Sequence, residues 1–278
     1  FCLTMKFYKN QREGETVAKN REYDNASISS LKGADRVRLR PGVIFGSDGI
    51  EGCCHSFFEI LSNSIDEARE GFGTEIEVTR FLDHSITVKD YGRGTPVDYN
   101  PVEERYNWEL VFCELYAGGK YNRDGGESYE YSLGLNGLGS CATQYSSEFM
   151  DVTVLRDGCK YTLHFEKGEN IGGLQKEKFR HRQTGTTIHW RPDLDVFTDI
   201  NIPLDYFMST MKKQAVVNAG LKLVLRNETE QGQFEMFEFC YPEGILGYVK
   251  ETSDEKGLTE PVFYQAERKG RDRKDKPE

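Results

Sequence analysis

The sequence predicts an α+β sandwich, and three observations carry that prediction. Runs of alternating apolar and polar residues, the mark of half-buried strands, cluster in the middle and late parts of the chain. Amphipathic stretches of helical spacing are grouped between those clusters and do not alternate strictly with single strands, which argues against a parallel α/β array. No internal repeat is visible, and 278 residues suffice for one large domain or one domain plus part of a second.

Taken in order, residues 1–22 are polar without periodicity and are expected to form a disordered extension. The opening Phe1-Cys2-Leu3-Thr4 suggests a fragment, with Met5 a candidate initiator. Ser29 to Arg38 predicts a short amphipathic helix, stopped by the turn signal Arg40-Pro41-Gly42. Gly52 to Arg69 predicts a stronger helix, because Phe57, Phe58, Ile60, Leu61, Ile65 and Ala68 form one broad apolar side. Glu75–Phe81 and Ser85–Asp90 alternate as strands across the turn Leu82-Asp83-His84. Trp108–Tyr116 is helical in pattern, and Gly118–Gly139 holds seven of the 28 glycines, too many for plain helix or strand. Strands are predicted at Met150–Leu155, Tyr161–Phe165, Gly173–Phe179 and Thr186–Trp190. A helix at Leu204–Asn218 and strands at Leu221–Arg226 and Glu235–Phe239 complete the core.

Composition excludes several classes. A chain 37% hydrophobic and 29% charged is neither disordered nor fibrous. No apolar run is long enough to span a membrane, and the first ten residues do not read as a secretory signal. Seven cysteines, without CxxC or Cys/His metal spacing, read as reduced thiols of a cytoplasmic protein. A net charge of −10 argues against a surface that wraps DNA phosphates throughout, so any DNA contact is local or belongs to parts outside this chain. The basic run Arg268 to Lys276 alternates with acids and reads as a solvated terminus.

Four segments carry candidate chemistry. On the Gly52–Arg69 helix, Glu59, Asn63 and either Asp66 or Glu67 fall on one stripe. A carboxylate and an amide oxygen one turn apart can align a water and hold Mg²⁺, which keeps most of its own waters; a solvent-facing polar stripe has the same pattern. Next, the strand ending at Asp90 runs into Tyr91-Gly92-Arg93-Gly94-Thr95-Pro96. Asp90 there can accept from an exocyclic amine while the glycines admit a flat ring, and Arg93 can cover that ring or pair with Glu67; a plain β-turn fits equally. The third segment joins Gly118-Gly119-Lys120 to Leu133-Gly134-Leu135-Asn136-Gly137-Leu138-Gly139-Ser140. Its amides can meet phosphate oxygens before a helix, though it is neither a Walker A loop nor a Rossmann fingerprint. The fourth, Thr184-Gly185-Thr186, opens a strand and can complete a base pocket or simply form a hairpin turn.

In this order the four segments resemble the motifs of the GHKL ATPases, and most closely those of the B-type subunits of bacterial type IIA DNA topoisomerases. Tyr23-Asp24 with Ile28, Arg40-Pro41-Gly42, Asn63-Ser64-Ile65-Asp66-Glu67-Ala68, Asp90 to Pro96, Gly118-Gly119-Lys120-Tyr121 and Thr184-Gly185-Thr186 carry the resemblance, from about Tyr23 onward. It implies a mixed sheet with helices on one face over 23–242, and the start of a transducer domain over 243–278. It further implies ATP as ligand and Mg²⁺ as cofactor, with Glu59 as general base and Asn63 as the metal ligand. Asp90 would read the adenine amino group, with Glu67, Arg93, Gly94, Pro96 and Thr186 around the base. Gly119, Lys120, Tyr129, Gly134, Leu135, Asn136, Gly137, Leu138, Gly139 and Ser140 would form the phosphate lid, and Tyr23 the arm that reaches a partner protomer. The implied partners are an A-type cleavage subunit, DNA through the full complex, and a second copy on ATP binding. Departures from the family pattern are Leu133, Asn136 and Glu130 in the lid, Ser62 before the metal ligand, and Thr162 where an arginine contacts aminocoumarins. Alternatives within the superfamily are a chaperone or mismatch-repair ATPase, and outside enzymology a turnover-deficient ATP sensor.

Overall fold

A computed structural model describes residues 31–117 and 138–253, together with 259, 261, 262 and 264. Nearly all of these belong to a unit that begins at Lys32. The extension 1–22 lies outside the described residues.

Three helices lead into the site. The first, α1 (Asp35–Arg38), is a single turn where the sequence predicts a longer helix from Ser29; Gly33, with φ of 50°, sits in the turn before it. The Arg40-Pro41-Gly42 signal does more than stop that helix, because Pro41 opens α2 (Pro41–Phe45). Proline suits a first helical position, where its fixed φ is already helical and no N–H is missed. Gly46 closes α2 in the left-handed region at φ 79°. The long helix α3 (Ile50–Arg69) follows. A Cβ on its Gly52 would lie 2.1 Å from the Ser47 carbonyl oxygen, so only glycine lets the chain turn this tightly into the helix.

Among the described residues ten strands follow, of which eight make one mixed sheet. These are β1 (Glu75–Arg80), β2 (Ile86–Asp90), β5 (Ser147–Arg156), β6 (Cys159–Glu166), β7 (Glu169–Lys178), β8 (Gly185–Pro192), β9 (Lys222–Glu230) and β10 (Gln233–Phe239). Their order is β10-β9-β1-β2-β8-β5-β6-β7, and only β1–β9 is parallel. The α+β prediction holds, and each predicted strand is present. The strand expected at Gly173–Phe179 begins earlier, at Glu169; Gly172 and Gly173, both at positive φ, sit where its register with β6 slips.

Between β2 and β5 lie a two-stranded ribbon, β3 (Tyr99–Asn100) with β4 (Arg105–Tyr106), then α4 (Asn107–Cys113) and α5 (Gly139–Tyr145). Helix α4 stops short of the predicted Tyr116 because Glu114 is extended and Tyr116 is left-handed, φ 65°. Helix α6 (Leu204–Val217) matches its prediction, whereas α7 (Gly244–Thr252) has no counterpart among the elements that the sequence pattern predicts. No helix among the described residues is long and apolar enough to cross a membrane.

The sheet buries one face under α3, α5 and α6. Leu225, Val78, Val88, Ile188, Val152 and Leu163 pair across six strands in a single buried row. Trp190, Met150 and Phe165 form a second, all fully buried, and truncating Trp190 to alanine costs about 3–5 kcal/mol on general grounds. Asp90 occupies the same inward face as Ile86 and Val88, opposite Ile76, so a carboxylate stands where the alternation calls for an apolar side chain.

Candidate functional site

Helix α3 runs beneath the buried face and turns its half-buried stripe toward the end of β2. Glu59, Asn63 and Glu67 lie on that stripe at successive turns. Asp66, the other candidate for the third position, instead lies 3.9 Å from Arg69.

Glu59 is held from two sides. Nε2 of His55, one turn earlier on α3, lies 3.1 Å from its Oε1, and Nδ1 of the same ring lies 3.1 Å from the Phe45 carbonyl oxygen. The bond to Glu59 raises the pKa of His55 above its ordinary 6.5, against an opposing pull from burial. A Cβ on Gly139 would come within 2.3 Å of Glu59 Oε2, so the start of α5 rests directly on this carboxylate. His55 is not among the residues that the motifs single out, although its i−4 spacing from Glu59 is the available signal.

Asn63 donates from Nδ2 to the Ser140 hydroxyl at 3.1 Å. That bond leaves its amide oxygen without a partner among the described residues. Among those residues no cluster of three or more His, Cys, Asp or Glu side chains could cage a metal. A cation here would therefore be one that takes a single protein oxygen and completes its shell with phosphate oxygens and waters, as Mg²⁺ does.

Asp90 is buried, at 8% exposure, yet well supplied with donors. Its Oδ1 accepts from the backbone N–H groups of Gly92 at 2.9 Å and Thr186 at 3.1 Å, and its Oδ2 from the Ser64 hydroxyl at 3.1 Å. Burial raises its pKa, and the three hydrogen bonds oppose the rise. The Thr186 hydroxyl in turn accepts from the backbone N–H of Thr95 at 3.0 Å, tying the turn after β2 to the start of β8. Two glycines make this approach feasible. A Cβ on Gly92 would lie 2.2 Å from Glu67 Cγ, and one on Gly185, at φ 145°, would lie 2.2 Å from the Asp90 carbonyl oxygen.

At the rim, Glu67 receives three bonds from Arg93: backbone N–H at 2.9 Å, Nε at 2.7 Å and Nη2 at 3.0 Å. Burial pushes the Glu67 carboxyl up, but these bonds and the charge of Arg93 prevail and hold it below its ordinary value. The guanidinium also lies 3.9 Å from the centre of the Phe72 ring. Such an exposed pair contributes only about 0.2–1 kcal/mol to stability, so its consequence is geometric: a fixed, flat rim. Of the two options open to Arg93, pairing with Glu67 is the one observed. Gly94 is buried at φ 79°, and its carbonyl oxygen accepts from Arg156 at 2.7 Å; Pro96 is exposed beside it.

The structure thus brings Glu59, Asn63, Glu67, Asp90, Arg93, Gly94, Gly139, Ser140 and Thr186 together along α3 from its midpoint toward its C-terminus, with Pro96 and Leu138 adjoining in sequence. Tyr23, Gly119, Lys120, Tyr129, Gly134, Leu135, Asn136 and Gly137 lie outside the described residues. Phe72 and Arg156 are further neighbours outside every sequence motif, while Ser64 and Thr95 lie within motifs that gave them no role. The six cysteines among the described residues form no disulfide, and burial pushes the Cys54 thiol up to about 11.

No family model matches the chain. It is 38% identical over 251 residues to the DNA gyrase B protein of Enterococcus faecalis, covering 88% of this chain and 38% of that protein. It is 36% identical over 247 residues to the DNA topoisomerase 4 B protein of the same organism, covering 88% of this chain and 35% of that protein. Among solved structures it resembles the 43K ATPase domain of Thermus thermophilus gyrase B in complex with an aminocoumarin. That likeness has a TM-score of 0.67 and 31% identity, over 81% of this chain and 56% of the other. The chain thus spans little more than a third of the curated relatives it matches.

Proposed function

We propose that this chain, similar to gyrase B and topoisomerase 4 B proteins and to a gyrase B ATPase domain, binds and hydrolyses ATP as part of a type IIA DNA topoisomerase. The observation that carries the proposal is the buried Asp90, ringed by donors on the inward face of the sheet and bonded by Ser64 of the helix that carries Glu59 and Asn63. A carboxylate placed among apolar residues is costly unless something uses it. An adenine amino group is a donor suited to its remaining acceptor capacity, and Glu67, Arg93, Gly94, Pro96 and Thr186 border the ring.

In this mechanism Glu59 is the general base. Its Oε1 is engaged by His55, and Oε2, at the start of α5, takes the proton from the attacking water. Asn63 presents its amide oxygen because Ser140 holds its nitrogen. Bound there with the nucleotide, Mg²⁺ would neutralise charge on the phosphate oxygens. Leu138, Gly139 and Ser140 would border the phosphates; Gly119, Lys120, Tyr129 and residues 134–137, which lie outside the described residues, are the further phosphate-binding candidates that the sequence motifs imply. A second copy is a proposed partner on ATP binding, and Tyr23, outside the described residues, is the candidate contact that the sequence motifs imply. The cleavage subunit and DNA are the further partners, and residues 243–278 begin the transducer that links this domain to them.

The test is ATP binding and steady-state phosphate release, in Mg²⁺, by this chain and by Glu59→Ala. Binding kept with turnover lowered about 10²- to 10⁴-fold supports the assignment. A folded chain that binds no ATP refutes it.

A further inference from the structure

Helix α3 carries serines in its buried turns, and one of them behaves differently. Ser56 and Ser62 spend their hydroxyls on carbonyl oxygens of their own helix, those of Cys53 and Glu59 at 2.8 and 2.9 Å. This back-bonding is the ordinary fate of a serine inside a helix. Ser64 instead directs its hydroxyl out of the helix, to Oδ2 of Asp90, 26 residues away in sequence. It is 6% exposed, so the hydroxyl has no solvent to turn to.

An ionised carboxylate oxygen offers about two acceptor sites. On Asp90, Gly92 and Thr186 fill both sites of Oδ1 with backbone N–H groups. Ser64 fills one of the two on Oδ2 and leaves the other open. From this arrangement we infer that Ser64 is a positioning residue that makes the pocket select 6-aminopurine over 6-oxopurine nucleotides, by holding Asp90 as an acceptor with a single open site. The inference rests on the reading of this pocket as a purine-nucleotide site.

The physical reason is an asymmetry between the two bases. A 6-amino group donates into the open site of Oδ2. A 6-oxo group meets it lone pair to lone pair, and two buried acceptors then go unpaired. The pocket could welcome an oxo group only if Asp90 rotated or took a proton on Oδ2 and donated it. Ser64 opposes both changes: its O–H competes for the proton's place and fixes the plane of the carboxylate. Burial favours the protonated form of Asp90, so the hydrogen bond from Ser64 acts against a tendency already present.

The experiment measures dissociation constants for ATP and for ITP, its 6-oxo counterpart, in Mg²⁺, on the full chain and on Ser64→Ala and Ser64→Thr. The wild-type chain prefers ATP. Ser64→Ala narrows that preference about tenfold, and Ser64→Thr, which keeps the hydroxyl, restores it. Should Ser64→Ala not fold, the near-isosteric Ser64→Cys serves with the same expected narrowing. An unchanged ATP-to-ITP ratio, with both nucleotides weakened alike or neither affected, assigns Ser64 to packing alone and overturns the inference. A wild-type chain that binds neither nucleotide overturns the purine reading itself, an outcome distinct from a lost Ser64 effect.

Discussion

His55 and Glu59 sit one helical turn apart, with Nε2 of the imidazole 3.1 Å from Oε1 of the carboxylate. The Phe45 carbonyl can only accept, so Nδ1 of His55 carries a hydrogen and donates to it. Nε2 then faces the Glu59 carboxylate at 3.1 Å, a contact that is attractive only with a second proton between them. The imidazole therefore steadies one carboxylate oxygen and leaves the other free.

Replacing His55 by alanine should separate binding from turnover. Glu59 would lose its orienting partner while Asp90 and its hydrogen-bond donors stay in place. Phosphate release is expected to fall about 10- to 100-fold, the scale of a misplaced catalytic group, with the dissociation constant for ATP nearly unchanged. Stopped-flow binding beside steady-state turnover checks both, and equal losses in the two would contradict this role.

The same pair should leave a pH signature in stability. The folded-state pKa of His55 is raised above 6.5. Its stabilising contribution is therefore complete below that value and is lost as pH rises through the raised folded value. Urea melts of the wild type and His55→Gln are expected to differ most in mildly acid buffer and to converge at alkaline pH. A gap that widens with pH has the wrong sign for this pairing.

Asp90→Asn is expected to weaken ATP binding about 10- to 100-fold without lowering the melting temperature. The Asp90 pKa is raised above 3.8 by burial, so the folded state loses stability as pH climbs from that value through the raised one. The asparagine variant escapes that loss while keeping an oxygen for the Gly92 and Thr186 amides. Thermal melts near neutral pH decide it: a large drop for the variant would mean the ionised carboxylate is a net support of the fold.

Two glycines predict opposite kinds of failure. A methyl on Gly139 would strike Oε2 of Glu59 at 2.3 Å, the end of a side chain that can move aside. Gly139→Ala should therefore fold and lose turnover. A methyl on Gly185 would strike the Asp90 carbonyl oxygen at 2.2 Å, at φ 145°, where neither backbone can yield cheaply. Gly185→Ala should cost at least about 1–3 kcal/mol of stability, read from denaturant midpoints.

Much of the site was legible because its residues break the pattern around them. Glu59 and Asn63 interrupt an apolar helix at i, i+4 spacing. Asp90 falls at an inward position of a strand whose other inward residues are Ile86 and Val88. Other features carried no local mark. The ribbon Tyr99–Asn100 with Arg105–Tyr106 is too short for any periodicity, and α1 is one turn. Proline after Arg40 reads as a stop and a start with equal right, and only packing chose the start.

What the sequence determined alone is whatever follows from spacing along one chain: the extent of α3, the alternation of the strands, and the grouping of carboxylate, amide and glycines. Sheet order was beyond it, since the parallel pairing of β1 with β9 joins residues far apart in sequence. So was the partnership of Ser64 with Asp90 and of Asn63 with Ser140, which depends on how α3 and α5 lie against the sheet. Periodicity states which side of an element is apolar. The direction in which a single hydroxyl or amide points is settled by which neighbours packing brings within about 3 Å, and that is a property of the assembled core.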